Sequence, residues 1–278
     1  MGPMILTAAL AKGMDTMDQK MLRERIEKAD WSLLKEVDSI SDSEAAYLST
    51  LNPASAESRE LMVALAQDSN AKWGREMLFG MIKSKDEATR FQAGEALLDK
   101  VSPDDAKKPL DALRADRPHS GGDDEFTMHL VQATGNTGDG SAIEPLMVLQ
   151  KKEKRPEASH AYHQALAKLK FPKETRKLDF AREHGSAGEK AIALRDLRYI
   201  NQAEWLPKTI PLLMDEMVAR HTSKGPATFR IRVCDEAIAT LGTIDPAKKI
   251  PFEVSDIFGY PFSDDQLAQA RRAYGLLK

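Results

Sequence analysis

The residues best equipped for chemistry are few. Gly135, Gly138 and Gly140 stand together in "LVQATGNTGDGSAIEPLMVL", just ahead of an apolar segment, as glycines do in a loop that wraps a phosphate. A P-loop needs G-x-x-x-x-G-K-[ST], because a lysine and a hydroxyl hold the phosphate and its magnesium. "GNTGDGSA" has no lysine and puts Asp139 where a phosphate would be repelled. A dinucleotide loop needs a preceding strand and the order G-x-G-x-x-G. Here the order is G-x-x-G-x-G after a segment with helical spacing. The glycines are therefore expected to make a joint between helices, with Gly135 ending one helix at positive φ and Asp139 capping the next.

Two other groups invite a chemical reading. Glu157, His160 and His163 fall in "EASHAYHQAL", and neighbouring helical side chains can share a zinc ion. Positions i and i+6 are about 120° apart around a helix, so Glu157 and His163 diverge, and no H-E-x-x-H is present. They read as surface histidines beside an Ala/Tyr core face. The single cysteine, Cys234, excludes an internal disulfide. Beside Val233 and Ala237 in the middle of an expected helix it reads as a small buried hydrophobe, with Asp235 raising rather than lowering its pKa. No catalytic residue, metal site, cofactor or small-molecule substrate is expected.

The charge is uneven. Residues 1–140 carry 17 Lys+Arg against 25 Asp+Glu, residues 141–210 carry 14 against 9, and the remainder 9 against 9. The basic middle falls short of the strongly basic stripe of nucleic-acid binders. Lys190, Arg195 and Arg198 lie on one expected helix, and Arg230 and Arg232 on the next. Phe252, Phe258, Tyr260 and Phe262 concentrate aromatics near the C-terminus of a chain with only 6% aromatics. They could anchor an interface or plug the end of a core.

Helical signals position all of these. "SDSEAAYLSTL" opens with Ser41 and has Glu44 three residues on, and Ser263 and Gln266 repeat that capping box. Ser102 precedes Pro103 and a pair of acids, as at a helix start. Leu61, Ala64 and Leu65, and then Trp73, Met77, Leu78 and Met81, fall at helical spacing. The pattern predicts roughly a dozen helices joined by short Gly, Pro, Asp or Asn turns, and no convincing strand. Loops of any length are expected only at 117–124, 221–226 and 250–262. No apolar run approaches the ~18–20 residues that cross a bilayer. "MILTAALA" lacks a basic n-region and is too short for a leader. A cytoplasmic location is expected, with secretion open if a leader has been removed.

The helices repeat. Anchoring on Leu97, Thr134, Leu166, Leu197 and Leu241 gives spacings of 37, 32, 31 and 44 residues, which bracket the periods of helical solenoids. Gly135, Asp139 and Pro145 are echoed by Gly242, Asp245 and Pro251. In "DEATRFQAGEALLDKVSPDDAKKPLDAL", Asp86, Arg90, Ala93, Ala96 and Leu97 resemble the pattern of a HEAT repeat of the short bacterial kind, over roughly 70–250. Thr127 and Ser159 stand where the arginine would be, and the helix expected at 227–242 is about two residues too long.

That resemblance implies an all-α fold, a right-handed α–α superhelix of five or six HEAT-like helix pairs, with 1–70 as an N-terminal helical cap, 71–250 as repeats and 251–278 as an aromatic loop and capping helix. Second helices of such a stack line the concave face, which would make Lys190, Arg195, Arg198, Arg230 and Arg232 groove residues, with Trp205 near them; ordinary solvated surface is the other reading of these charges. The expected function is a non-enzymatic scaffold for a protein partner, of the adaptor or toxin-neutralising type. The alternative is a nucleic-acid binder such as a HEAT-like DNA-repair glycosylase, which would need Trp and Asp at the centre of a basic groove. Trp205 near Arg195 and Arg198 is its only hint, so nucleic acid is not the expected partner.

Overall fold

A computed structural model describes residues 19–115, 124–247, 250, 252 and 261–278. Among them the chain is helical except for one β-hairpin, so the all-α expectation holds. The chain divides into two compact units, Met1–Tyr162 and His163–Lys278.

The first unit holds α1 (19–27), a 3-10 helix at Trp31–Ser39, α2 (Asp42–Leu48), α3 (Ala56–Asp68), α4 (Lys72–Met81), α5 (Glu87–Ala96), α6 (Lys107–Ala115), α7 (Asp124–Asn136) and α8 (Ile143–Gln150). Helix α9 (Pro156–Lys168) carries the chain from the first unit into the second. There follow α10 (Pro172–His184), α11 (Ala187–Ile200), the short α12 (Leu206–Thr209) with a 3-10 turn at Ile210–Met214, β1 (Val218–Lys224), β2 (Ala227–Arg232), α13 (Val233–Ile244) and α14 (Asp264–Ala273).

From α2 to α13 the described helices read as pairs. In the first unit the second members form a row, α3 on α5 and α5 on α7, while α2 meets α4 and α6 meets α8. In the second unit α11 lies between α10 and α13. Fully buried leucines fill the rows, among them Leu61, Leu65, Leu97 and Leu130 in the first unit and Leu194, Leu197 and Leu241 in the second. Each contributes about 1.5–3 kcal/mol of apolar burial. Ala66, Ala93 and Ala133, all at 0% exposure, let neighbouring helices approach closely. Gly74 does so without any side chain, since a Cβ there would lie 2.5 Å from the Ala66 carbonyl oxygen.

The helix starts follow their sequence signals. Ser41 with Glu44, Ser186 with Glu189 and Ser263 with Gln266 form capping boxes. Asp139 caps its turn as expected, accepting from the Ser141 N–H at 2.9 Å. Gly135 is different: it is buried within α7, and the positive φ falls three residues later, at Gly138 (+69°). The helix runs to Asn136, and its last carbonyls are met by the Thr137 and Gly138 N–H groups and the Thr137 hydroxyl.

A ladder of charges links successive helices. The fourth residue of α3 is Arg59, and its guanidinium meets Asp86 Oδ1, the cap of α5, at 3.2 Å. It also donates to the carbonyls of Pro53 and Ala54. The fourth residue of α4 is Arg75, paired at 3.2 Å with Asp105, which stands just before α6. The fourth residue of α5, Arg90, donates to the Ser84 carbonyl and lies 5.7 Å above the Phe126 ring of α7. Thr127 takes that position in α7, and there Arg155 reaches in from the start of α9, at 3.1 Å from both Thr127 Oγ1 and Asp124 Oδ1. The missing arginine of this repeat is thus supplied by the next one.

The expectation of no strand is corrected by the hairpin. β1 and β2 pair antiparallel from Lys224↔Ala227 to Val218↔Arg232, with a bulge between Val218 and Arg220. The turn is Gly225 at φ +59° followed by Pro226. Residues 227–232 are therefore strand, and α13 begins at Val233, which removes the overlong helix expected at 227–242. Phe252 and Phe262 pack against the core of the second unit with ring centroids 5.5 Å apart. Phe258, Tyr260 and Pro251 lie outside the described residues, as do the apolar N-terminal stretch and most of the loop expected at 117–124.

Two outcomes test the ladder. Asp86→Ala removes both a cap and the Arg59 partner and is expected to cost about 1–2 kcal/mol in urea unfolding. Asp86→Asn keeps a capping oxygen and is expected to cost less than about 1 kcal/mol. For Asp105, burial pushes its carboxyl up, but hydrogen bonds from Ser102 and the charges of Arg75 and Lys108 outweigh burial and hold it below the usual range. A depressed folded pKa means that its stabilisation is complete above about pH 4 and is lost as pH falls through the lower folded value. Acid unfolding of Asp105→Asn is expected to show a shallower loss of stability below that pH than the wild type.

Candidate functional site

The basic residues singled out in the sequence gather around α11, the hairpin and α13, all within the second unit, but they do different things. Lys190 is the fourth residue of α11 and meets Asp215 at 2.8 Å, with both side chains 13% exposed. Asp215 is anchored in turn, its carbonyl accepting from Cys234 N and its carboxylate from Met217 N. This is another rung of the ladder, with the hairpin inserted between Asp215 and the helix it precedes, so Lys190 is spent on structure. Arg232 is spent as well. It lies on β2, not on a helix, and clamps Asp235 at 3.1 Å, Asp264 at 2.9 Å and the Phe262 carbonyl at 2.9 Å. The Asp235 hydrogen bond is the main reason its pKa is raised. Trp205 is 2% exposed, a core residue with the Lys208 ammonium 4.9 Å from its ring. It is unavailable as a groove residue because its indole is part of the second unit's buried core. Arg230, expected on a helix, is exposed on β2 opposite His221.

Arg195 and Arg198 belong to a cluster whose centre the sequence reading missed. Glu236 is the fourth residue of α13, the position that holds Arg59, Arg75, Arg90 and Lys190 in other helices. It is fully buried. Arg198 donates to its Oε2. Arg220, from β1, donates to its Oε1 at 3.3 Å, and Arg195 Nε lies 4.0 Å from that same oxygen. Arg198 is 18% exposed, Arg220 32% and Arg195 46%. The hydroxyl of Thr240 ties α13 to α11 through the Leu194 carbonyl at 2.9 Å, which fixes Glu236 relative to the arginines. Arg220 lies just before the loop expected at 221–226, in a segment with no strand signal, so nothing local marked it. Glu236 did carry a signal, one of two adjacent acids, Asp235 and Glu236, among Val233, Cys234, Ala237 and Ile238 in the first turns of an apolar helix.

An apolar patch adjoins the cluster. Ile192, Met214, Met217 and Val218 are all large, hydrophobic and exposed. Ile192 stands one turn from Gly188, where α11 comes closest to β1: a Cβ there would be 3.8 Å from the Ala219 carbonyl oxygen. Gly188, Ile192 and Arg195 share that helix face by their i, i+4, i+7 spacing.

The other sequence candidates are placed as follows. Cys234 is the second residue of α13 rather than mid-helix, is fully buried, and has its thiol pushed up to about 12 by burial and then by Asp235. His163 meets the buried Glu174 at 2.8 Å through Nδ1. No group of three metal-ligating side chains occurs among the described residues, and no described helix is long and apolar enough to cross a membrane.

No family model and no curated protein matches the chain. Among solved structures it is similar to the complex of CpcE and CpcF of phycocyanin lyase from Nostoc sp. PCC7120, at 15% identity and a TM-score of 0.47, over 91% of this chain and 87% of that one. A likeness of this size transfers no activity, substrate or partner. It does correct the expectation of a non-enzyme: the protein in that structure is named as a lyase, so that expectation no longer stands.

Glu236→Ala is expected to lower stability by about 3 kcal/mol in urea unfolding, because it leaves Arg198 largely buried without its carboxylate. Arg195→Ala is expected to stay within about 1 kcal/mol. Cys234 is expected to resist iodoacetamide in the native protein at pH 8 and to react fully once unfolded, as read by mass spectrometry; rapid native alkylation would contradict its burial.

Proposed function

We propose that this protein binds another protein through the α11, hairpin and α13 surface of its second unit, in the manner of an adaptor. The observation that carries this reading is the juxtaposition of exposed Ile192, Met217 and Val218 with a guanidinium cluster that outnumbers its carboxylate. Contiguous exposed apolar side chains rimmed by polar ones mark interaction surfaces. Arginine is enriched at the energetic centres of interfaces, because its planar fork makes several hydrogen bonds at little ordering cost. The patch sits on a helix and on a hairpin pinned to that helix, so little ordering entropy is lost on docking. The cationic surplus favours an acidic partner surface. The burial of Trp205 removes the one feature that pointed to duplex DNA.

The test is native purification followed by mass spectrometry, compared across variants. Ile192→Asp with Met217→Asp, and separately Arg195→Glu, are each expected to weaken the co-purifying partner at least tenfold while circular dichroism and urea unfolding stay close to wild type. Retention of the partner by both folded variants would overturn this surface. Binding to duplex DNA whose affinity falls with log[salt] at a slope of several phosphates would overturn the protein partner.

A further inference from the structure

Around Glu236 the charges do not balance. Each neighbouring carboxylate on α11, on the hairpin's approach or on α13 has its own partner. Glu189 caps its own helix through Ser186, Asp196 accepts from Gln164 at 2.8 Å, Asp215 holds Lys190, Glu216 holds Arg271 at 2.7 Å, and Asp235 holds Arg232. Glu236 serves Arg195, Arg198 and Arg220 together, so three guanidinium groups share one buried carboxylate, and Glu236 by itself does not neutralise them.

The cluster is also reachable, and part of it is unspent. Arg198 is the buried member and is committed to Oε2. Arg195 uses Nε on the Ala191 carbonyl at 3.3 Å, and Arg220 uses Nε on Glu236 Oε1. Neither has a partner for its terminal nitrogens among the described residues. Both Nε atoms lie against the same Glu236 oxygen, so the two forks are held side by side, one from α11 and one from β1. A guanidinium fork presents paired N–H donors that match the oxygens of a carboxylate or phosphate. Glu236 already lies against the Nε side of both forks, and the terminal N–H donors that remain suit an anion with several acceptor oxygens.

We propose that Arg195 and Arg220 form a seat for the phosphoryl group of a phosphorylated side chain on the partner, with Ile192 and Val218 taking an apolar neighbour of that residue. This rests on the protein-partner reading for its source but not for its chemistry. A phosphoryl group carries about −1.5 to −2 charge near pH 7 and three strong acceptor oxygens, which fits two guanidinium forks held side by side. Glu236 acts as the positioning residue, since its buried carboxylate holds both arginines in place without neutralising them.

The seat is tested first without any partner, by titrating the whole protein with inorganic phosphate at millimolar concentrations against sodium chloride and sodium acetate of matched ionic strength. Phosphate is expected to raise Tm saturably and to shift the arginine Nε–Hε resonances of Arg195 and Arg220 in NMR spectra. The Tm response and the Arg220 shift should vanish in Arg195→Gln, which removes the most exposed of the three arginines and leaves the hydrogen bonds to Glu236 in place, and should be kept in Arg195→Lys. Equal responses to acetate and phosphate, or an undiminished response in Arg195→Gln, would overturn the seat. The source is tested with a labelled five-residue peptide bearing phosphoserine between two leucines, its unphosphorylated form, and its aspartate form. The phosphopeptide is expected to bind at least tenfold more tightly than either peptide and than inorganic phosphate. If it binds no better than free phosphate, the partner-borne source is wrong. If phosphate and phosphopeptide both bind while no protein co-purifies in a phosphorylation-dependent way, the seat stands and the partner reading fails.

Discussion

The interaction on which this structure depends is the ion pair between the fourth residue of one helix and an aspartate that precedes the helix after next, directly at Asp86 and Asp105 and with the hairpin intervening at Asp215. Arg59 with Asp86, Arg75 with Asp105 and Lys190 with Asp215 are the same device at three places. The geometry explains why it recurs. A cation in the first turns of a helix sits at the wrong end of that helix's dipole, while an aspartate at a helix start sits at the right end. A long arginine or lysine side chain that reaches across to the neighbouring cap removes its own charge from the unfavourable end and adds to the favourable one. Each pair is partly exposed and contributes modestly by itself. Its larger effect is positional: it sets how far one helix is shifted along its neighbour, which the apolar faces of Ala and Leu alone leave loosely determined.

Seen from that pair, the candidate site is the ladder run in reverse. α13 carries Glu236 where the earlier helices carry a cation, and the arginines now come from outside, from α11 and β1. Reversal changes what is buried. In the ordinary rung the aspartate stands near a helix start, partly exposed at Asp86 and buried at Asp105, and one cation from the earlier helix reaches to it. At α13 the carboxylate is fully enclosed and the cations stand between it and solvent. Taking a carboxylate out of water is costly unless several donors replace the water, and three guanidinium groups meet that requirement. The same three then exceed what one carboxylate can neutralise. A solution to the burial of one residue therefore leaves a positively charged surface beside it.

Much of the fold is legible from the residues and much of the site is not, and the two facts have one cause. Caps at Ser41, Asp86, Asp139 and Ser263, and the apolar spacing of α3 and α4, are local, so they can be read from a few neighbouring positions. The ladder partners lie about 25–30 residues apart (Arg59 with Asp86, Lys190 with Asp215), and nothing local distinguishes Lys190 bound to Asp215 from Lys190 in solvent. Trp205 near Arg195 and Arg198 in sequence is buried in the core instead, since the side of a short helix on which an indole falls depends on what packs there. Gly135 misled for a related reason: of two nearby glycines, the turn falls at the one where the chain can leave at positive φ with its last carbonyls met, and that is Gly138, whose N–H meets the Gly135 carbonyl.

The hairpin is the instructive case, because the spacing from Leu197 to Leu241, 44 residues against 31 and 32 in the two repeats before it, did record it. The excess of about a dozen residues is close to the length of Val218–Arg232, which lies between the first and second helices of the last pair. Alternation in "VARHTSK" and "ATFRIR" is too weak to announce strands by itself, because only Ile231 among these residues is fully buried. What forms the strands is their attachment: Arg220 to Glu236, Arg232 to Asp235, Ile231 against Ala239 and Phe262. The insertion does not disturb the rung it interrupts, since Asp215 still meets Lys190 before the chain departs and still accepts from Cys234 on its return. A segment added at that point gains a fixed base without altering the stacking of helices, and it brings to the α11 surface an arginine, Arg220, that the repeat alone does not contain. The interval that breaks the period is for that reason the place where this chain departs from a plain stack of helices and acquires a surface of its own.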